Sequence, residues 1–317
     1  METLILTLAT LISFSTPLVF AVLGETISER VGVVNLSIEG TLLITALTGF
    51  AVSFLLGSPV LGLLSAGLVG GFVAAIIVVC DLKLYLNQIA IGFVLTIFLS
   101  KFSSYLGQNF VRLPGPYFTD LEIPFLNDIP IIGTIFFNQN PLVIGSLLSI
   151  PLVWFFLFRT RWGLELRSVG ENPLSANSRG LNVQKIRLLY TIIGGILIGI
   201  GGAAFSLHAK YGWSDGHTAN YGWIVLAIVI FGGWNPIRSA IGVYVFGALG
   251  VLALNLQSVT VGLSQVIPLI PFPLMILILI SIQFFNRKQY KWIPLSIQAL
   301  IFGNQPQALG KTFKKEG

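Results

Sequence analysis

Long apolar runs dominate this chain, and they constrain it more than any other feature. A helix needs about 20 mainly apolar residues to cross a hydrocarbon layer about 30 Å thick, since each residue advances it by about 1.5 Å. Runs of that character cover residues 3–24, 40–56, 60–80, 86–106, 141–158, 188–208, 221–236, 240–256 and 266–285. Hydrophobic residues make up 55% of the sequence and charged residues 9%, against about 25% charged in an ordinary soluble domain. The expectation is an all-α, polytopic transmembrane helix bundle of about eight to ten spans in a cell membrane. Residues 1–285 would form the membrane domain and 286–317 a basic tail. The runs 40–56 and 221–236 are short enough to be re-entrant, and irregular backbone at that depth survives only where protein or a water-filled path covers its polar groups.

The net charge of +6 is topological and does not point to nucleic acid. Arg159, Arg161, Arg167, Arg179, Lys185 and Arg187 share one loop, and Arg287, Lys288, Lys291, Lys311, Lys314 and Lys315 follow the last run. Lys and Arg collect in cytoplasmic loops, so both regions, and therefore the C-terminus, are expected in the cytoplasm. An even number of runs lies between them, which is consistent. Arg238, Asp81 with Lys83, and Glu25 to Arg30 fall on the same side. The loop Gly107 to Asn140, with Asp120, Glu122 and Asp128 against Arg112 and four prolines, is expected outside, and the N-terminus with it only where the short run crosses rather than re-enters. The apolar patch Trp292 to Phe302 reads as an interfacial helix on membrane lipid.

Chemistry-bearing groups are sparse. Cys80 is alone and reads as a small core residue. His208 and His217, nine apart without a partner cysteine, read as exposed loop residues rather than a zinc site, and Lys101 as a side chain snorkelling to the interface. No GxSxG elbow or GxxxxGK[ST] loop is present, so neither catalysis, cofactor nor metal is expected. Glu39 is the clearest intramembrane carboxylate. It either satisfies a helix N-terminus or lines a solute path, with Asn35 four residues earlier on the same helical face. In GGILIGIGGAAFS, Gly195, Gly199 and Ala203 recur every four residues, so one helix face is small and should pack closely. Trp213, Trp223 and Trp234 read as interfacial anchors.

The stretch TRWGLELRSVGENPLSANSRGLNVQKIR is the most informative. GENP breaks a helix, and LSANSRG can form about two turns ending at Gly180. Asn172 is placed to cap that helix, with Pro173 in its first position, where a missing amide costs nothing.

This stretch resembles the cytoplasmic coupling segment of ABC importer permeases of the sugar, branched-chain amino acid and nucleoside class, which has the form RxxGENPxAAxxxGI. Arg167, Gly170, Glu171, Asn172, Pro173, Ala176 and Gly180 occupy the matching places, with Leu181 for isoleucine and Ser175 for a common alanine. ERVGVVNLSIEGTLL and GWIVLAIVIFGGWNPIRSAIG resemble two further signatures of the class, in the right order from Glu29 to Gly242, although Tyr221, Gly222 and Trp223 depart from the usual GxGF-like start. FGGWNP is most like the nucleoside branch. The resemblance implies a non-catalytic permease subunit whose partners are a separate ABC ATPase subunit docking on residues 170–180, a second permease subunit (copy or paralogue) and a substrate-binding lipoprotein outside. It implies a small-molecule solute, a nucleoside or else a simple sugar, on a path near Asn35, Glu39, Trp223, Trp234 and Asn235. The competing classes are an ion-driven secondary transporter, for which Glu39 is the only strong membrane carboxylate, and a membrane-embedded enzyme, for which the catalytic set is missing.

Overall fold

The computed structural model describes residues 2–122, 138–259, 273, 276–277 and 305–313. Ten α-helices are described: α1 (Glu2–Arg30), α2 (Ile38–Leu56), α3 (Pro59–Leu84), α4 (Gln88–Gly107), α5 (Pro141–Arg159), α6 (Arg161–Glu171), α7 (Pro173–Ser178), α8 (Val183–Ala204), α9 (Tyr221–Phe231) and α10 (Pro236–Val259). A two-residue antiparallel pair, Leu121–Glu122 with Asn138–Gln139, closes the base of the 107–140 loop. Among the described residues, seven helices are long and apolar enough to cross a membrane. The run 266–285 and the patch Trp292 to Phe302 lie essentially outside the described residues, as do Asp128 and most of the tail's basic side chains.

The short runs behave differently from each other. Residues 40–56 belong to the 19-residue α2, long enough to cross, whereas α9 has 11 residues, about 16 Å of helix. The chain reaches α9 through irregular backbone from Lys210 to Asn220, and α9 by itself is too short to cross a hydrocarbon layer about 30 Å thick.

Glycines bring the helices together around α8. A methyl group on Gly195 would overlap the Gly70 carbonyl and Ala74, one on Gly199 the Ala66 carbonyl, and one on Gly194 would lie 2.5 Å from the Gly24 carbonyl. The small face read from the sequence thus packs backbone to backbone against α3, and a neighbouring small face packs against α1. Without a hydrophobic drive between helices in lipid, such close approach is what holds a bundle together. Large apolar side chains of α3 and α4, such as Leu68, Phe72, Val94 and Phe98, point outward, as lipid permits.

Asparagine sets where several helices begin. Asn140, Asn172 and Asn235 each precede a proline and accept amide hydrogens of the following turn: from Leu142 at 3.1 Å, Ser175 at 2.9 Å and Ile237 at 3.0 Å. Proline in the first position gives up an amide that has no intrahelical partner.

Two ends result. One gathers the ends of α1 and α3, the pair α6–α7 and the starts of α8 and α10, and is rich in arginine; we call it the basic end. The other carries the 107–122 loop, the start of α5 and residues 208–217. α1 runs six residues past its expected limit, so Glu25 and Glu29 are buried helical residues rather than loop residues. Cys80 is half-buried and not in the core.

Candidate functional site

At the basic end α6 and α7 form a bent helical pair. Thr160 caps α6 by accepting the Gly163 amide hydrogen at 3.0 Å, and Asn172 ends it and caps α7. α7 closes in a Schellman turn: the Leu181 amide donates to the Ala176 carbonyl at 3.1 Å and the Gly180 amide to Asn177 at 2.9 Å, with Gly180 at φ +85°. That left-handed C′ position favours glycine. The capped two-turn helix expected from the sequence is therefore present. Ala176 is buried, whereas Leu174, Ser175, Ser178 and Arg179 face outward. A cleft of about 440 Å³ lies between the two helices, bordered by Leu164, Glu165, Glu171, Asn172 and Arg179.

The other two motifs meet this pair. Gly170 packs directly on the Arg30 carbonyl, so a side chain there would overlap it. The Arg30 guanidinium donates to the carbonyls of Trp234 at 2.7 Å and Gly233 at 3.2 Å, and the Trp234 indole N–H donates to the Glu29 carboxylate. Arg30 and Arg167 both stack over Phe158, 5.7 and 5.0 Å from its centroid. Three stretches far apart in sequence thus share one junction. Trp234 is buried at φ +54° and Trp213 is buried beside Gly107, so neither is an interfacial anchor; Trp223, 38% exposed, has the accessibility of one. Asn235 serves as the cap of α10.

Asn35 and Glu39 do not share a helical face, because Asn35 lies in the turn before α2. Its side-chain oxygen accepts from the Ser37 amide at 3.0 Å and hydroxyl at 2.6 Å, and its own amide donates to Glu25 at 3.3 Å. Local side-chain bonding of this kind competes with helix and delays its start. Glu39 stands in the first turn of α2 but caps a different helix. Its carboxylate accepts the Thr218 hydroxyl at 2.5 Å and the amides of Asn220 at 3.2 Å and Gly222 at 2.7 Å, at the start of α9. Two helix N-termini therefore converge on one carboxylate, where both dipoles favour negative charge.

Both histidines are buried rather than exposed. After α8 the backbone widens into a π turn, Phe205–Ala209, which points His208 at α1. Pro17 has no N–H to give the Ser13 carbonyl four residues earlier; His208 Nε2 lies 3.1 Å from that carbonyl and 3.0 Å from the Ser13 hydroxyl, with Asn140 at Nδ1. Only Pro17 within an apolar run hinted at an unmet carbonyl. In the following loop, Lys210 donates to the His217 carbonyl at 2.5 Å, and burial together with that ammonium pushes the His217 imidazole down to about 4. Arg187 is likewise not a surface charge: it is fully buried, 3.6 Å from the equally buried Asp81.

These features define a polytopic membrane protein with a short apolar helix reached through irregular backbone and a folded helical pair at its basic end. The chain matches, over residues 7–279, the family described as the branched-chain amino acid transport system permease component, and it belongs to that family. It is 38% identical over 259 residues to a putative glucose ABC transporter permease protein of Haloferax volcanii, covering 80% of this chain and 79% of that one. It is 34% identical over 264 residues to a nucleoside ABC transporter permease protein of Lactococcus lactis, covering 80% and 83%. A guanosine ABC transporter permease protein of Bacillus subtilis is 34% identical over 254 residues, covering 75% and 78%. No solved structure matches the chain.

Proposed function

We propose that the chain is one membrane-spanning subunit of an ATP-driven importer, that a separate ATPase subunit docks on α6 and α7, and that the solute is a nucleoside. The observation that carries this reading is the outward face of α7. A two-turn helix with both ends capped by its own residues, and with Leu174 presented to solvent, is built to be gripped from outside. Arg167, Gly170, Glu171, Pro173 and Gly180 set its position, and Asn172 and Ala176 fix its bend. The basic end is cytoplasmic on the positive-inside rule, which puts the tail there. The opposite end would receive solute from a substrate-binding lipoprotein, and a second permease subunit would complete the path.

Within this reading Asn35, Glu39, Trp234 and Asn235 border the path by holding helix ends in place, and Trp223 is the residue of the five free to meet solute. The nucleoside relatives favour a nucleoside, and the Haloferax relative keeps a hexose in contention. Proteoliposomes holding the chain with its ATPase, second permease and lipoprotein test both. ATP-dependent uptake of labelled uridine or guanosine, unaffected by excess glucose, is the expected result, and Leu174→Asp should lower it at unchanged membrane content. Uptake driven by an ion gradient without any ATPase would overturn the proposal, and glucose-selective uptake would change its cargo.

A further inference from the structure

Residues 306–313, beyond the last apolar run, are folded into the basic end. Pro306, Ala308 and Phe313 are buried there, and the segment turns on itself through Leu309 to Pro306 and Lys311 to Ala308 hydrogen bonds, each 3.1 Å. Its other hydrogen bonds reach three separate elements, and a side chain faces a fourth. The Ala308 amide donates to the Gly170 carbonyl of α6 at 2.9 Å, and the Gln307 amide to the Glu171 carboxylate at 3.3 Å. The Gly310 amide donates to the Gly32 carbonyl in the α1–α2 turn at 3.2 Å. The Lys311 carbonyl accepts from Arg187 of α8 at 2.9 Å, and the Thr312 side chain faces Asp81 of α3.

The chemistry of the junction explains why this segment fits here. The last carbonyls of a helix have no intrahelical partner, and the break at Asn172–Pro173 leaves the Gly170 carbonyl among them. Gly32, at φ +95°, keeps the approach open, since a methyl there would lie 3.1 Å from Arg187 Nη2 and 3.4 Å from the Ala308 carbonyl. The segment therefore bonds the base of the helical pair, the α1–α2 turn and Arg187 of the buried Asp81–Arg187 pair at once. Any displacement of α6 relative to α1 or α8 must either carry this segment along or break those bonds.

We propose that Pro306–Phe313 is a positioning strap of the coupling machinery, which makes the α6–α7 pair, the α1–α2 turn, the end of α3 and the start of α8 move together. This rests on the reading of α6–α7 as the segment an ATPase drives. The strap would act through those helices, without touching solute or nucleotide.

The test uses the complete reconstituted transporter and reads solute imported per ATP hydrolysed. Ala308→Pro removes the amide that bonds Gly170, and Ala308→Gly keeps it. The expected result is at least a fivefold fall in solute moved per ATP for Ala308→Pro, with hydrolysis within twofold of the parent and with Ala308→Gly restoring the parental ratio. A chain stopped before Gln305 should show the same loss; if it does not assemble, the Ala308 pair decides. An unchanged ratio in Ala308→Pro, or an equal loss of hydrolysis and uptake that leaves the ratio intact, would overturn the strap. Absence of ATP-driven uptake in the parent would instead overturn the importer reading itself.

Discussion

Glu39 on α2 accepts the amide hydrogen of Gly222 at the head of α9 at 2.7 Å, so a carboxylate in one helix closes the end of another. Replacing Glu39 with alanine leaves the Thr218 hydroxyl and two amides without an acceptor, and each buried unmet donor costs about 1 to 3 kcal/mol. Glu39→Ala should therefore lower the apparent Tm in detergent by several degrees, and Glu39→Gln, which keeps an oxygen acceptor, by less. Equal losses in the two variants would show that the acceptor oxygens do not matter.

Close approach along α8 predicts opposite signs at two glycines. A Cβ on Gly199 would overlap the Ala66 carbonyl, while one on Gly145 of α5 meets only Phe20 at 3.7 Å. Gly199→Ala should reduce the yield of folded protein in size-exclusion chromatography. Gly145→Ala should be neutral, or stabilising by about 0.5 to 1 kcal/mol, since alanine favours helix.

The Asp81–Arg187 pair is buried on both sides. Asp81→Asn leaves an uncompensated buried guanidinium, a loss of about 3 to 5 kcal/mol. The double change Asp81→Leu with Arg187→Met should recover a substantial part of that in thermal unfolding, because it removes both charges together. Additive losses would mean that the two side chains do not depend on each other.

Acid should weaken the 210–220 loop through His217. Its imidazole is held down to about 4 against an ordinary value of 6.5, so between those values the unfolded chain binds a proton that the folded chain does not. Stability from this group is fully present above about 6.5 and is lost as pH falls toward 4. Thermal unfolding between pH 7 and pH 4.5 should show that slope, and His217→Asn should flatten it.

What was legible in the sequence is what local chemistry decides. Apolar length gives the helices, Asn172 with Pro173 gives the two-turn helix, and the four-residue recurrence of Gly195, Gly199 and Ala203 gives a packing face. The same Asn–Pro signal stands at 140–141 and 235–236, where Asn235, also read as a path residue, begins α10. Long-range pairing was not legible. Arg187 counted as a loop charge because nothing near it in sequence reveals Asp81, and Glu39 suggested a cap on its own helix because Gly222 lies 183 positions away. His208 depends on a carbonyl that Pro17 frees in a helix almost two hundred residues earlier.

The Asn–Pro starts also bear on biosynthesis. Such a pair needs nothing from the rest of the chain to orient the first turn that follows it. α5 and α7 can therefore each choose their beginning while still leaving the ribosome, before α8 exists to hold them, and α10 can do so before the strap exists. The register of these helices is thereby settled early, and only their mutual fit has to wait for the completed polypeptide.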